Sequence, residues 1–192
     1  MVRHFTIMQS VAAFMLVCAV VAAPVLSAAA QGPARDLEAQ QRAMAAIAGL
    51  KGNWIGEGWR IMPDGKRITF IQTVAVTPKT GGLAFTIEGR SLERENPAAK
   101  PGGGSLGVIS FDDRAGGYRL RSFSRGELTD APAELVRPGV FRWRAETPQS
   151  VLQFTVDVAK DGVWVETGDR STDGGQSWTK TYEVSLKREP RE

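Results

Sequence analysis

The sequence predicts an all-β protein: a single antiparallel up-and-down barrel of about ten strands with a short N-terminal helix, preceded by a signal peptide. Three observations carry that prediction. Apolar residues recur at a helical period of about 3.6 as far as Leu50 and at period 2 from Lys51 onward. The strand-length runs after Lys51 are joined by short Gly- and Pro-rich turns and never by a helix-length segment, which excludes parallel pairing. So many strands in one domain favour closure, because an open sheet would leave long edges unpaired.

Residues 1–30 read as a secretory signal peptide: Arg3 near the start, an apolar run from Val11 to Ala23, then Ala28-Ala29-Ala30 before Gln31. Cleavage is expected near Ala30, giving a periplasmic or secreted protein with no transmembrane span in the mature chain. Residues 31–50 form an amphipathic N-terminal helix with Leu37, Met44, Ile47 and Leu50 near one face and Gly49 as a stop signal. Residues 51–188 form the barrel, with strands expected at 53–62, 67–77, 83–91, 105–112, 117–125, 128–136, 139–146, 150–159, 163–170 and 177–187, and 189–192 are a short tail. The connection at 93–104 is the longest and most polar, and reads as a mobile flap.

The signal segment holds the only His (His4) and the only Cys (Cys18), so residues 31–192 contain neither. This excludes Ser-His-Asp and Cys-His catalysis, His- or thiolate-bound zinc, His-ligated haem and disulfides. No cofactor, no metal site and no catalytic residue is therefore assigned. The formal charge of +3 falls by one when Arg3 leaves with the signal, which does not suggest a nucleic-acid partner.

Turn length decides which residues enter the barrel. A three-residue loop at Pro63-Asp64-Gly65 sets Trp54 and Arg60 on the inner face with Ile68, Phe70, Gln72 and Val74; a two-residue turn would bring in Glu57 and Trp59. A three-residue loop at Lys160-Asp161-Gly162 turns Trp164 and Glu166 inward, and other lengths substitute Val163, Val165 and Thr167. Alternation on the last strand puts Lys180 on the inner face with Trp178, Tyr182, Val184 and Leu186. Arg119, Arg121, Arg125, Arg142 and Arg144 alternate with apolar residues and are expected to face outward. Ser171-Thr-Asp173-Gly174-Gly175-Gln-Ser177-Trp178 has the S-x-D-x-G-x-[ST]-W pattern of sialidase propellers. A single copy in so short a chain makes it a turn: Asp173 caps backbone N–H groups and Trp178 packs beneath.

Leu50-Lys51-Gly52-Asn53-Trp54, with its Gly-x-Trp, resembles the opening of calycin barrels. The block from Trp164 to Trp178, followed by a strand ending Leu186-Lys187-Arg188, is similar to the DUF1579-like family of lipocalin-like bacterial proteins. That resemblance implies a calycin-like barrel binding a small ligand. Lys180-x-Tyr182 also resembles the basic-x-Tyr pair with which fatty-acid-binding barrels hold a carboxylate. The expected site is thus Trp54, Arg60, Trp164, Glu166, Lys180 and Tyr182, around a small amphipathic, anionic molecule. Two alternatives stay open: a filled barrel acting as a periplasmic interaction protein with an unknown partner, and a cofactor-free lyase, isomerase or hydrolase using Glu166 as base.

Overall fold

The computed structural model describes residues 34–93 and 104–190. The signal segment, the connection read as a flap and the last two residues lie outside the described residues. The element order is α1 (Leu37–Ala46), a 3-10 turn (Ala48–Leu50), β1 (Gly52–Ile61), β2 (Arg67–Lys79), β3 (Ala84–Glu93), β4 (Gly104–Asp112), β5 (Gly117–Ser124), β6 (Glu127–Arg137), β7 (Val140–Thr147), β8 (Ser150–Asp157), β9 (Val163–Ser171) and β10 (Thr179–Arg188). Each strand pairs antiparallel with the next, and β10 returns to β1, so the barrel is closed. All ten expected strands form, with ends displaced by a few residues.

Gly65 takes a left-handed φ of 81°, and the Met62 N–H donates to the Lys66 carbonyl at 2.8 Å, which closes the three-residue loop. Trp54 consequently stands opposite Val74 and Arg60 opposite Ile68, both inward. The 159–163 connection has the same length, and Val156 pairs with Glu166, so Trp164 and Glu166 also face in.

Helix α1 closes one end. Asp36 caps it by accepting the Ala39 N–H at 2.8 Å. Asp113, in the β4–β5 turn, accepts the Asp36 N–H at 2.7 Å and Gln40 Nε2 at 2.8 Å, while Arg35 donates to it at 3.0 Å. The Asp36 N–H, the Gln40 amide and the Arg35 guanidinium hold the Asp113 carboxyl down at about 2. Tyr118 adds an O–H bond of 2.6 Å to the Ala43 carbonyl. Met44, Ile47 and Leu50 are buried against the barrel, but Leu37, expected on the same face, is 54% exposed.

Candidate functional site

The inner faces of β3, β4 and β5 change character along their length. Near α1 they carry Phe85, Ile87, Ile109, Phe111, Tyr118 and Leu120; towards the opposite loops the same face carries Gly89, Ser91, Ser105, Gly107, Ser122 and Ser124. Bulky residues fill the α1 end, and small ones leave a cavity of about 470 Å³ in the other half. That volume lies within the roughly 300–1,000 Å³ of small-molecule sites. Leu50, Ile109, Phe141 and Trp164 are among its lining, and Arg125 and Glu127 stand at its mouth.

The cavity has two unlike walls. On one, Trp143 stacks on Phe154 with centroids 5.4 Å apart, and Phe154 meets Tyr182 edge-on at 6.0 Å. On the other, Ser91, Ser105, Ser122, Ser124 and Thr129 line the space. The hydroxyls of these five residues have no hydrogen-bond partner among the described residues. Polar groups left unanswered by protein call for water or a ligand.

Glu166 is the acid in the deep part of the cavity. Trp164 Nε1 donates to its Oε2 at 3.3 Å. Burial pushes the carboxyl up to about 7 against that hydrogen bond. Its remaining accessible surface faces the cavity. On the adjacent strand Tyr182 pairs with Gly168, placing it diagonal to Glu166 on the same face. A Cβ on Gly168 would lie 2.8 Å from Phe154 Cε1 and 2.9 Å from Tyr182 Cβ, so glycine is what lets these two rings close together here. The Tyr182 hydroxyl has no hydrogen-bond partner among the described residues. Burial raises its pKa far above the usual value, the Glu166 charge adds to this, and the Arg60 charge opposes it.

The expected site residues separate into three groups. Trp164, Glu166 and Tyr182 come together on the cavity lining. Trp54 and Arg60 face inward without lining it. Trp54 is 1% exposed in the packed end, 5.5 Å from the Trp164 ring, with its Nε1 donating to the Leu50 carbonyl at 3.0 Å and the Arg188 guanidinium over its face. Arg60 lies 5.2 Å from the centre of Phe70 and donates to Glu93 at 2.7 Å, while its Nε is buried without a partner among the described residues.

Lys180 is the correction. A bulge makes Lys180 pair with Asp169 and Tyr182 with Gly168, leaving Thr181 as the extra residue. The slip turns Lys180 to the outer face, where it reaches Glu183 at 2.7 Å with its side chain 46% exposed. Nothing in the local sequence marks the bulge.

Arg119, Arg121, Arg142 and Arg144 do face outward, in contact with Asp130, Glu134 or Gln153. Arg125 departs from the expected pattern: it occupies the first position of a two-residue turn with φ 54°, ahead of Gly126 at 81°, and borders the cavity mouth. The Asp173 turn forms as expected, its carboxylate accepting the N–H groups of Gln176 and Ser177 at 3.0 and 2.9 Å. The serine wall escaped the sequence reading, although the face carrying Tyr118 and Leu120 continues directly into Ser122 and Ser124.

Solved structures similar to this chain include the following two. One is Rv2717c from M. tuberculosis, at a TM-score of 0.58 and 14% identity, covering 77% of this chain and 98% of that one. The other is the S-type phycobiliprotein lyase CPES from Guillardia theta, at a TM-score of 0.56 and 8% identity, covering 84% of this chain and 100% of that one. The fold is a calycin-like barrel. No family model matches the sequence, and no curated protein matches it either. Among the described residues of this calycin-like barrel, no helix is long and apolar enough to cross a membrane.

Proposed function

We propose that the barrel binds one small, flat amphipathic molecule, its apolar face against Trp143, Phe154 and Tyr182 and its polar edge towards the serine and threonine hydroxyls. The observation that carries this reading is the unequal lining of one cavity: stacked rings on one side, five hydroxyls without a partner among the described residues on the other. A protein named as a phycobiliprotein lyase shares the fold. Of the residues expected from sequence, Trp164, Glu166 and Tyr182 touch the ligand in this proposal, Trp54 and Arg60 support them from behind, and Lys180 takes no part. An acidic group on the ligand belongs at the mouth beside Arg125, because a carboxylate at depth would face Glu166. We further propose that the protein is exported after cleavage near Ala30 and belongs with the DUF1579-like proteins that its C-terminal block resembles.

Native mass spectrometry of protein isolated gently from its host tests the reading. The expected result is one small organic molecule per chain, missing from a Ser122→Phe variant whose added ring occupies the cavity. An empty wild-type barrel that also fails to take up flat aromatic probes would overturn it.

A further inference from the structure

Glu166 and Tyr182 share features that ligand holding alone does not require. The Glu166 carboxyl is buried with one long hydrogen bond among the described residues, from Trp164, and the phenol beside it makes none there. Both open onto the same cavity from neighbouring inward positions of β9 and β10. Trp143 and Phe154 would offer a flat substrate an apolar surface beside the pair. A base, an oxygen-directed donor and a positioning surface thus converge without any metal or cofactor being needed.

We propose that the cavity catalyses proton transfer at carbon in its bound ligand, a flat enolisable carbonyl compound, with Glu166 as general base and Tyr182 donating a hydrogen bond to the carbonyl oxygen. Glu166 takes the proton from the carbon next to the carbonyl. The C–H electron pair moves into the new C=C bond, and the carbonyl π pair onto oxygen, giving an enolate held by the Tyr182 O–H. The Glu166 carboxylic acid then returns a proton, either to the same carbon, which exchanges hydrogen, or to the far carbon of a conjugated system, which shifts a double bond. No electrons are gained or lost overall.

The electrostatics fit both roles. A carboxyl titrating at about 7 is a stronger base than an ordinary glutamate and is still partly ionised at neutral pH. The phenol stays protonated throughout. The titratable or charged groups that share the cavity lining with Glu166 are Tyr182 on β10 and Arg125 and Glu127 at the mouth; the Arg60 charge on β1 acts on Tyr182, and β8 presents Phe154 and Val156.

The inference rests on the binding reading, and 2-tetralone, an aromatic ketone with acidic α-hydrogens, separates the two. Binding is followed by tryptophan quenching, and deuterium uptake from heavy water by mass spectrometry of the ketone. Wild type is expected to bind saturably and to speed exchange above buffer, with a rate that rises as pH passes through about 7. Glu166→Gln, measured at saturating ketone, should lose about 100-fold or more of the exchange, the scale of general base catalysis. Tyr182→Phe should lose about 10- to 100-fold, less than a preorganised oxyanion donor at its strongest. Saturable binding with exchange no faster than buffer, or exchange that survives Glu166→Gln, would overturn the catalytic inference and leave the binding reading standing. Failure to bind 2-tetralone and other flat aromatic probes would sink both.

Discussion

At the α1 end of the barrel, Trp54, Trp164, Phe141 and Leu186 are buried to within 2% of full enclosure, while at the loop end the matching inward positions of β3–β5 carry glycine or serine. Strand number and closure are the same at both ends. Side-chain size on the inner face decides whether a calycin-like barrel is filled or hollow, and this chain is one at each end. The filled half serves as floor to the hollow one, and stability and binding should therefore respond to different residues.

Substitution in the filled half should produce the largest effect. Trp54→Ala removes a buried indole that touches Trp164 and the Leu50 carbonyl, and should cost about 3–5 kcal/mol in denaturant titration. A loss below about 1 kcal/mol would mean that the end is loosely packed.

At the boundary between the halves, Gly168→Ala pushes a methyl group into Phe154 and Tyr182, and overpacking of this kind typically costs about 1–3 kcal/mol. Affinity for flat aromatic probes should fall as well, because the rings that would hold them are displaced. A variant that keeps wild-type stability and affinity would show that this wall is pliant.

Glu166→Gln should act with the opposite sign. The carboxyl titrates at about 7 in the folded protein against an ordinary 4.5, so the folded state holds its proton more tightly. Stability linked to this group is complete below about pH 4.5 and is lost as pH rises towards 7. The amide escapes that loss and should be more stable than wild type by about 1–2 kcal/mol at pH 8, allowing for cavity water, with no difference at pH 4. Equal stability at both pH values would mean that the carboxylate is well solvated.

Ser122→Ala should change stability least, within about 0.5 kcal/mol, since its hydroxyl bonds to no described residue. A larger loss would reveal an ordered water network spanning the serine wall.

Much of this architecture was legible in the chain. Period-2 runs and short turns located all ten strands, and the three-residue loops at Pro63-Asp64-Gly65 and Lys160-Asp161-Gly162 correctly turned Trp54, Arg60, Trp164 and Glu166 inward. Lys180 was misread because a bulge shifts register by one residue, and Thr181 carries no signature that distinguishes it from an ordinary strand residue. The hollow half was overlooked for a different reason. Serines on an alternating strand read as solvent-facing by composition, and only the continuous face through Tyr118, Leu120, Ser122 and Ser124 turns them inward. By alternation Arg125 reads as one more outward arginine, whereas the left-handed turn it shares with Gly126 removes it from the strand.

The most direct measurement is a fluorescence titration with 1-anilinonaphthalene-8-sulfonate, whose fused rings suit the aromatic wall and whose sulfonate suits the mouth beside Arg125. It would be run on wild type, Ser122→Phe and Arg119→Gln, each first confirmed as folded. The account predicts saturable binding of one dye per chain, lost at least tenfold in Ser122→Phe and unchanged by the outer-face Arg119→Gln. Wild-type affinity in Ser122→Phe, or a loss in Arg119→Gln as large as in the filled variant, would contradict a binding site inside the barrel.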